Sequence, residues 1–211
     1  MDILIEDWGM VDYMHGYQRQ RQMVDAVIAG APGRLIFCEH PPVITQGRMT
    51  KPDSLLLGRE DILDLWVQIY SIDRGGDVTL HAPGQLVIYV ILDLDQYGRH
   101  LKAYLEKLEQ VAVDLLKDFG ILAISIPGKR GVFVGAEKIA SIGVGVRKWV
   151  TYHGIGINVH TDLSLFRLIR PCGLDARMTS MQKVLGRPVE IADARQAVVK
   201  NFERIFNAGL C

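Results

Sequence analysis

Apolar positions recur with helical period in three stretches of the chain. Tyr13, Tyr17, Val24, Val27 and Ile28 share one face and predict an amphipathic helix. A second stripe, Leu101, Leu105, Leu108, Val111, Ala112, Leu115, Leu116 and Phe119, predicts a helix over about 99–119, with Gly120 as its stop. The third, Ile191, Ala194, Val198, Phe202, Ile205 and Phe206, lies near the C-terminus. Strand-like runs fill the space between. Residues 35–38 precede the turn-forming His40-Pro41-Pro42, and 67–72 alternates. The run 85–94 is long, β-branched and suited to burial on both faces. Four further runs, 121–126, 131–134, 139–146 and 150–159, follow one another closely. Their short glycine-containing connections predict antiparallel pairing, because parallel crossovers need a dozen or more residues. Many strands, few helices and no strict βαβ alternation give an α+β class, a mixed sheet flanked by helices. Residues 1–211 read as one domain, with about 180–211 as a small C-terminal cap.

Composition narrows the classes. The chain has 211 residues and is 49% apolar, enough for a buried core and against general disorder. Lys plus Arg (24) equals Asp plus Glu (24), which argues against a dedicated nucleic-acid binder. The three cysteines, Cys38, Cys172 and Cys211, are widely spread and make no disulfide framework, in keeping with a reducing compartment. No run reaches the roughly 18 apolar residues of a membrane span, and the acidic N-terminus lacks a secretory pattern. A soluble cytoplasmic protein is the expectation.

Candidate chemistry clusters around glycines. Arg74-Gly75-Gly76-Asp77 precedes Val78-Thr79-Leu80-His81, with Gln85 close behind. Glycine lets backbone approach a ligand closely, although the same residues also make an ordinary tight turn. Gly143-Val144-Gly145 lacks the third glycine of a dinucleotide fingerprint and reads as strand, its glycines clearing space. Cys172 stands between Pro171 and Gly173 on a constrained turn, whereas Cys38 lies in an apolar strand as a small core residue. Lys138, flanked by Ile139, is either an exposed edge lysine or an inward-facing one. His81 and His153 allow a cysteine–histidine pair. His40, His81, His153 and Cys172 match no short metal-ligand spacing, and no metal is expected.

Four motifs in order then resemble one family, the LipB-type octanoyltransferases, over nearly the whole chain. They are Glu39-His40-Pro41-Pro42 through Gly47-Arg48; Arg74-Gly75-Gly76-Asp77-Val78-Thr79-Leu80-His81 through Gln85; Gly135 through Lys138-Ile139-Ala140-Ser141-Ile142-Gly143; and Tyr152-His153-Gly154-Ile155-Gly156-Ile157-Asn158, closed by Pro171-Cys172-Gly173-Leu174. The chain departs from the family at Leu80, usually aromatic, at Ala82, usually glycine, and at Gly156, usually alanine.

The resemblance implies the biotin and lipoate protein ligase fold, an acyl-carrying Cys172 and an activating Lys138. It places acyl binding on Arg74 to His81, Ser141 to Gly143 and Gly154 to Gly156, with His153 as an auxiliary. The implied reaction is ping-pong transfer of octanoyl from the phosphopantetheine thioester of acyl carrier protein to a lysine of apo lipoyl domains. Those domains belong to 2-oxoacid dehydrogenase complexes and the glycine cleavage H protein. No ATP or metal is required, because a thioester is already activated. The enzyme is expected to be monomeric and to contact neither nucleic acid nor membrane. Val78, Leu80, Ile142 and Ile155 are expected to line the acyl slot. Arg48, Lys51, Lys129, Arg130, Arg147, Lys148, Arg167 and Arg170 are candidates for a basic rim facing acidic partners, or simply a solvated face. The rival readings are an ATP-dependent lipoate or biotin ligase of the same fold, a cysteine-dependent thioesterase or amidase, and a non-catalytic carrier-binding module.

Overall fold

The structure is a computed structural model that describes residues 2–170 and 177–211. Among the described residues five helices, α1 (Tyr13–Ile28), α2 (Arg59–Asp64), α3 (Leu101–Asp118), α4 (Met181–Leu185) and α5 (Ile191–Phe206), accompany eleven strands. The strands are β1 (Asp2–Met10), β2 (Gly33–Glu39), β3 (Val43–Gln46), β4 (Gln68–Ser71), β5 (Val78–His81), β6 (Gln85–Ile91), β7 (Ile124–Ile126), β8 (Lys129–Val134), β9 (Glu137–Arg147), β10 (Val150–Asn158) and β11 (Gly209–Leu210). Eight form the main sheet in the order β11-β1-β2-β6-β10-β9-β8-β7, and β4-β3-β5 form a small second sheet.

The main sheet is mixed. β1 runs parallel to both β2 and β11, while β2, β6, β10, β9, β8 and β7 follow one another antiparallel. The close succession of apolar runs after residue 121 is therefore the antiparallel meander β7 to β10. β6 shows why this sheet needs helices on both sides: every one of its residues is buried. Leu86, Ile88 and Val90 belong to the cluster that includes Leu108, Leu115, Val198 and Phe202 of α3 and α5. Val87, Tyr89 and Ile91 belong to the cluster under α1, with Val24 and Val27. The two-residue strand period sends alternate side chains into two cores.

In the stretch 180–211, expected as a small cap, Ala194, Val198, Phe202 and Phe206 join the same core as α3, and β11 pairs with β1. The apolar face of α5 needed a partner, and α3 supplies it. β1, β3, β5 and α2 were not read from the pattern; β3 and β5 are four-residue strands packed on a separate core of Ile44, Val78, Leu80, Phe166 and Leu168. No helix among the described residues is long and apolar enough to cross a membrane.

Candidate active site

The loop 72–77 bridges the two sheets, and its side chains explain how it is held. Arg74 is buried. Its guanidinium donates to Thr45 Oγ1 from Nε at 3.1 Å and to the Thr45 carbonyl from Nη2 at 2.6 Å. Gly75 N donates to the Val144 carbonyl at 2.8 Å, which docks the loop on β9. Asp77 Oδ1 accepts from Ser54 Oγ at 2.6 Å and from its neighbour Val78 N at 2.7 Å.

Asp73 anchors the start of this loop. Its carboxylate accepts from Tyr17 Oη at 2.9 Å, Arg21 Nη1 at 3.1 Å and Tyr152 Oη at 2.7 Å, with His153 Nε2 at 3.4 Å. Burial alone would raise its pKa, but the bonds from His153, Tyr152 and Tyr17 outweigh that and hold it below the usual carboxylate range. Burial, with the Asp73 charge adding to it, pushes the Tyr152 phenol up to about 12.

Between this loop and strands β9 and β10 lies a cavity of about 320 Å³. Arg74, Gly75, Gly76, Asp77, Val78, Thr79 and His81 line it from one side. Lys138, Ser141, Ile142 and Gly143 line it from β9, and His153, Gly154, Ile155 and Gly156 from β10. The structure thus brings together the separate stretches that the sequence singled out. Leu80 is the exception. It alternates away from the cavity into the core with Ile44 and Phe166, so its difference from an aromatic residue bears on packing beneath the small sheet. Gly143 borders the cavity, whereas Gly145 makes room for the Tyr152 ring across the strand pair.

Lys138 is the inward-facing lysine, 5% exposed. Its ammonium lies 6.0 Å from the Phe133 ring centre. Its stem rests against Gly131, whose φ is +121°; a Cβ there would meet Lys138 Cε at 2.5 Å. Behind Gly131, the buried Glu109 of α3 accepts from Gly131 N at 3.2 Å and from Arg130 Nη1 at 2.8 Å. Of the expected rim cations, Arg130 borders the cavity, while Arg147 pairs with Asp25 and Arg170 with Asp53.

Cys172 and Pro171 lie outside the described residues. Their described flanks are both tied to the site. Arg170 N donates to the carbonyl of Ser54, the residue bonded to Asp77. Arg177 accepts from Lys138 N at 2.8 Å, and Thr179 N donates back to the Lys138 carbonyl at 2.9 Å.

A second set of polar residues was not singled out as a group. His40 is fully buried, with Nδ1 at 2.7 Å from the Val11 carbonyl and Nε2 at 2.6 Å from Tyr89 Oη. The carbonyl can only accept, so Nδ1 carries the proton and the Tyr89 hydroxyl donates to Nε2. Burial lowers the His40 pKa to about 4. Burial, then the neighbouring His40, lowers that of His81 to about 3. Tyr13 and Tyr89 also line the cavity, and Tyr13 stacks on His81 at 5.9 Å. In sequence both tyrosines sit on largely apolar stripes and read as core, and nothing local sets them apart from the other residues of those stripes. Cys38 is a buried core residue whose thiol is pushed well above its ordinary range by burial, unlike a reactive thiolate.

Comparison with known proteins agrees on a family. Residues 12–203 match the family model described as the lipoyl protein ligase A/B catalytic domain. The chain is 42% identical over 202 residues to the octanoyltransferase of Geobacter metallireducens, covering 95% of this chain and 92% of that one. It is 43% identical over 208 residues to the octanoyltransferase of Syntrophotalea carbinolica, covering 98% and 95%. Among solved structures it resembles lipoate-protein ligase A bound with ATP, at TM-score 0.75 and 18% identity, covering 100% of this chain and 87% of that one. It also resembles the biotin protein ligase of Aquifex aeolicus, at TM-score 0.56 and 14% identity, covering 97% and 68%. At such identities the solved structures speak for the fold.

Proposed function

The chain belongs to the lipoyl protein ligase A/B catalytic-domain family, and from that premise we propose that it is an octanoyltransferase working through an acyl-cysteine. It moves octanoyl from the phosphopantetheine thioester of acyl carrier protein to the acceptor lysine of an apo lipoyl domain, in the cytoplasm. The observation that carries the reading is the burial of Lys138 in a largely apolar-lined cavity, with its backbone bonded to the chain at Arg177, five residues past Cys172.

In the first step the Cys172 thiolate attacks the thioester carbonyl. A new C–S bond forms, the carrier's C–S bond breaks, and the carrier sulfur leaves as a thiol after taking a proton. In the second step the neutral lysine amine attacks the acyl-cysteine. The C–N bond forms, the C–S bond breaks, and the surplus amine proton returns to the Cys172 sulfur. A free cysteine, with a pKa of about 8.5, is only a few per cent thiolate near neutrality. An ammonium about 4 Å away, at an effective dielectric of about 20, favours the thiolate by roughly 4 kcal/mol before desolvation is subtracted. Lys138 supplies that charge and passes protons to the leaving groups.

Ile142 and Ile155 give the octanoyl tail an apolar wall. Burying its seven aliphatic carbons at about 0.8 kcal/mol each contributes roughly 6 kcal/mol of gross binding. A thioester already holds the acyl group in activated form, so no ATP enters either step.

Intact-mass analysis after incubation with octanoyl-carrier protein and no ATP tests the reading. One octanoyl adduct is expected on the wild type and none on Cys172→Ala. An unmodified wild type that labels a lipoyl domain only when given ATP and free octanoate would establish a ligase instead.

A further inference from the structure

The polar network behind the cavity determines which nitrogen of His81 carries the proton. Two backbone carbonyls, which can only accept, anchor it. Gln85 Nε2 donates to the Leu80 carbonyl at 3.2 Å, which turns Gln85 Oε1 towards His81 Nδ1 at 2.6 Å. Asn158 Nδ2 donates to the Thr179 carbonyl at 3.0 Å, which turns Asn158 Oδ1 towards Gln85 Nε2 at 2.9 Å. An amide oxygen cannot donate, so His81 Nδ1 bears the hydrogen. In the neutral ring, Nε2 then carries a lone pair and has no hydrogen-bond partner among the described residues. Gln85 and Asn158 are 2% and 1% exposed, and turning either amide over would set its oxygen against a buried backbone carbonyl. Gly156 leaves space for this arrangement, since a Cβ there would stand 2.9 Å from Gln85 Oε1.

The surroundings keep the ring neutral. Burial lowers its proton affinity, and His40, Arg74 and His153 add to the effect. Tyr13 of α1 stacks on it, and Lys138 and Arg130 border the same cavity. The nearby carboxylates are engaged elsewhere: Glu39 by Gly84 N, Asp77 by Ser54 and Val78 N, Asp73 by Tyr17 and Tyr152.

We propose that His81 contacts the acceptor substrate, its Nε2 accepting a hydrogen bond from the N–H of the amine that attacks the acyl thioester. The proposal rests on the transferase reading above. The reactants themselves single out the amine. The octanoyl tail has no polar hydrogen, and the thioester oxygen and sulfur are acceptors. Only the incoming primary amine brings an N–H to the reacting carbon. One N–H held by His81 aligns the amine lone pair with the carbonyl. His81 takes no proton in the step; Nδ1–H stays on Gln85, and the surplus proton leaves with the cysteine sulfur.

Two measurements test this. Long-range proton–nitrogen NMR on the intact labelled protein should give His81 a protonated Nδ1, an unprotonated Nε2 and no titration between pH 8 and about 5.5. A proton on Nε2, or ordinary titration near 6.5, overturns the proposal. The two half-reactions are then timed separately. His81→Phe should slow acyl transfer to the lipoyl domain at least about tenfold more than it slows acylation by the carrier. Equal slowing of both steps, or an unaffected second step, overturns the proposal. If His81→Phe fails to fold, Gln85→Glu serves. The carboxylate favours the charged ring, so transfer should weaken at neutral pH and recover as pH rises; an unaltered pH profile counts against the role. A wild type that forms no acyl-enzyme would sink the transferase reading, while the NMR result would still report separately on His81.

Discussion

His153 reaches Asp73 because its backbone leaves the extended region, with φ at +60°. A regular strand would send Tyr152 and His153 to opposite faces. The left-handed turn lets both rings point to the same carboxylate, Tyr152 Oη at 2.7 Å and His153 Nε2 at 3.4 Å. The His153 backbone N–H, diverted by the same turn, donates to Gln20 Oε1 of α1 at 2.8 Å. Strain at a non-glycine residue is thus offset by three contacts that lock α1, β10 and the loop 72–77 together.

Asp73→Asn should weaken that lock without removing it. The amide oxygen still accepts one hydroxyl, but the charge-assisted bonds are lost. A loss of about 1–2 kcal/mol in urea unfolding is expected. The Michaelis constant for the acyl donor should rise as the Arg74-Gly75-Gly76 turn loosens. Unchanged stability and kinetics would show that the carboxylate is dispensable.

Gly131→Ala should disable Lys138 without touching it. The new methyl would press on Lys138 Cε and on the Ala140 carbonyl oxygen at a φ of +121°. Single-turnover acylation should fall at least about a hundredfold, as in Lys138→Met, if the ammonium supplies general acid–base and charge stabilisation. Normal acylation in both variants would take the lysine out of the chemistry.

Stability should decline in mild acid. The folded-state pKa values of His40 and His81 are about 4 and about 3, below the roughly 6.5 of an unfolded histidine. Above pH 6.5 both rings are neutral folded or unfolded, and they contribute no pH dependence. As pH falls below 6.5 the unfolded chain binds protons that the folded one refuses. Each ring then costs about 1.4 kcal/mol per pH unit, down towards its folded pKa. Denaturant midpoints between pH 7 and 5 should show the decline, and His40→Gln should make it shallower.

Chain-length preference should follow the apolar wall. Ile142→Ala removes about three carbons' worth of side chain from the cavity lining. Decanoyl should gain on octanoyl by roughly tenfold in competition, at about 0.8 kcal/mol for each further methylene buried. An unaltered ratio would place the end of the acyl slot elsewhere.

The fold was legible where one period dominated. α1, α3 and α5 each carry a stripe that one neighbour covers, and β6 is apolar along its whole length because it is covered on both sides. Short strands such as β3 and β5 hold four residues each, too few for a pattern to emerge. The stripe of α5 does not by itself reveal which surface it meets, and that surface is the core it shares with α3 and the sheet. The stretches around Arg74, Lys138 and Gly154 were legible as motifs, and they meet at one cavity. The supporting groups were not legible. Tyr13, Tyr89 and Asn158 act through distant partners, and a separation of 73 positions between Gln85 and Asn158 leaves no local signal.

Asp73 also sets an order of events for a chain leaving the ribosome. Its carboxylate finds Tyr17 and Arg21 among segments already made, but Tyr152 and His153 follow 79 and 80 residues later. Until they emerge, the turn that forms one wall of the cavity lacks half of its tethers, and closing so long a loop is slow. The cavity is therefore among the last parts of the molecule to set, and a nascent chain halted before β10 would have the helix and the turn without the wall that faces them.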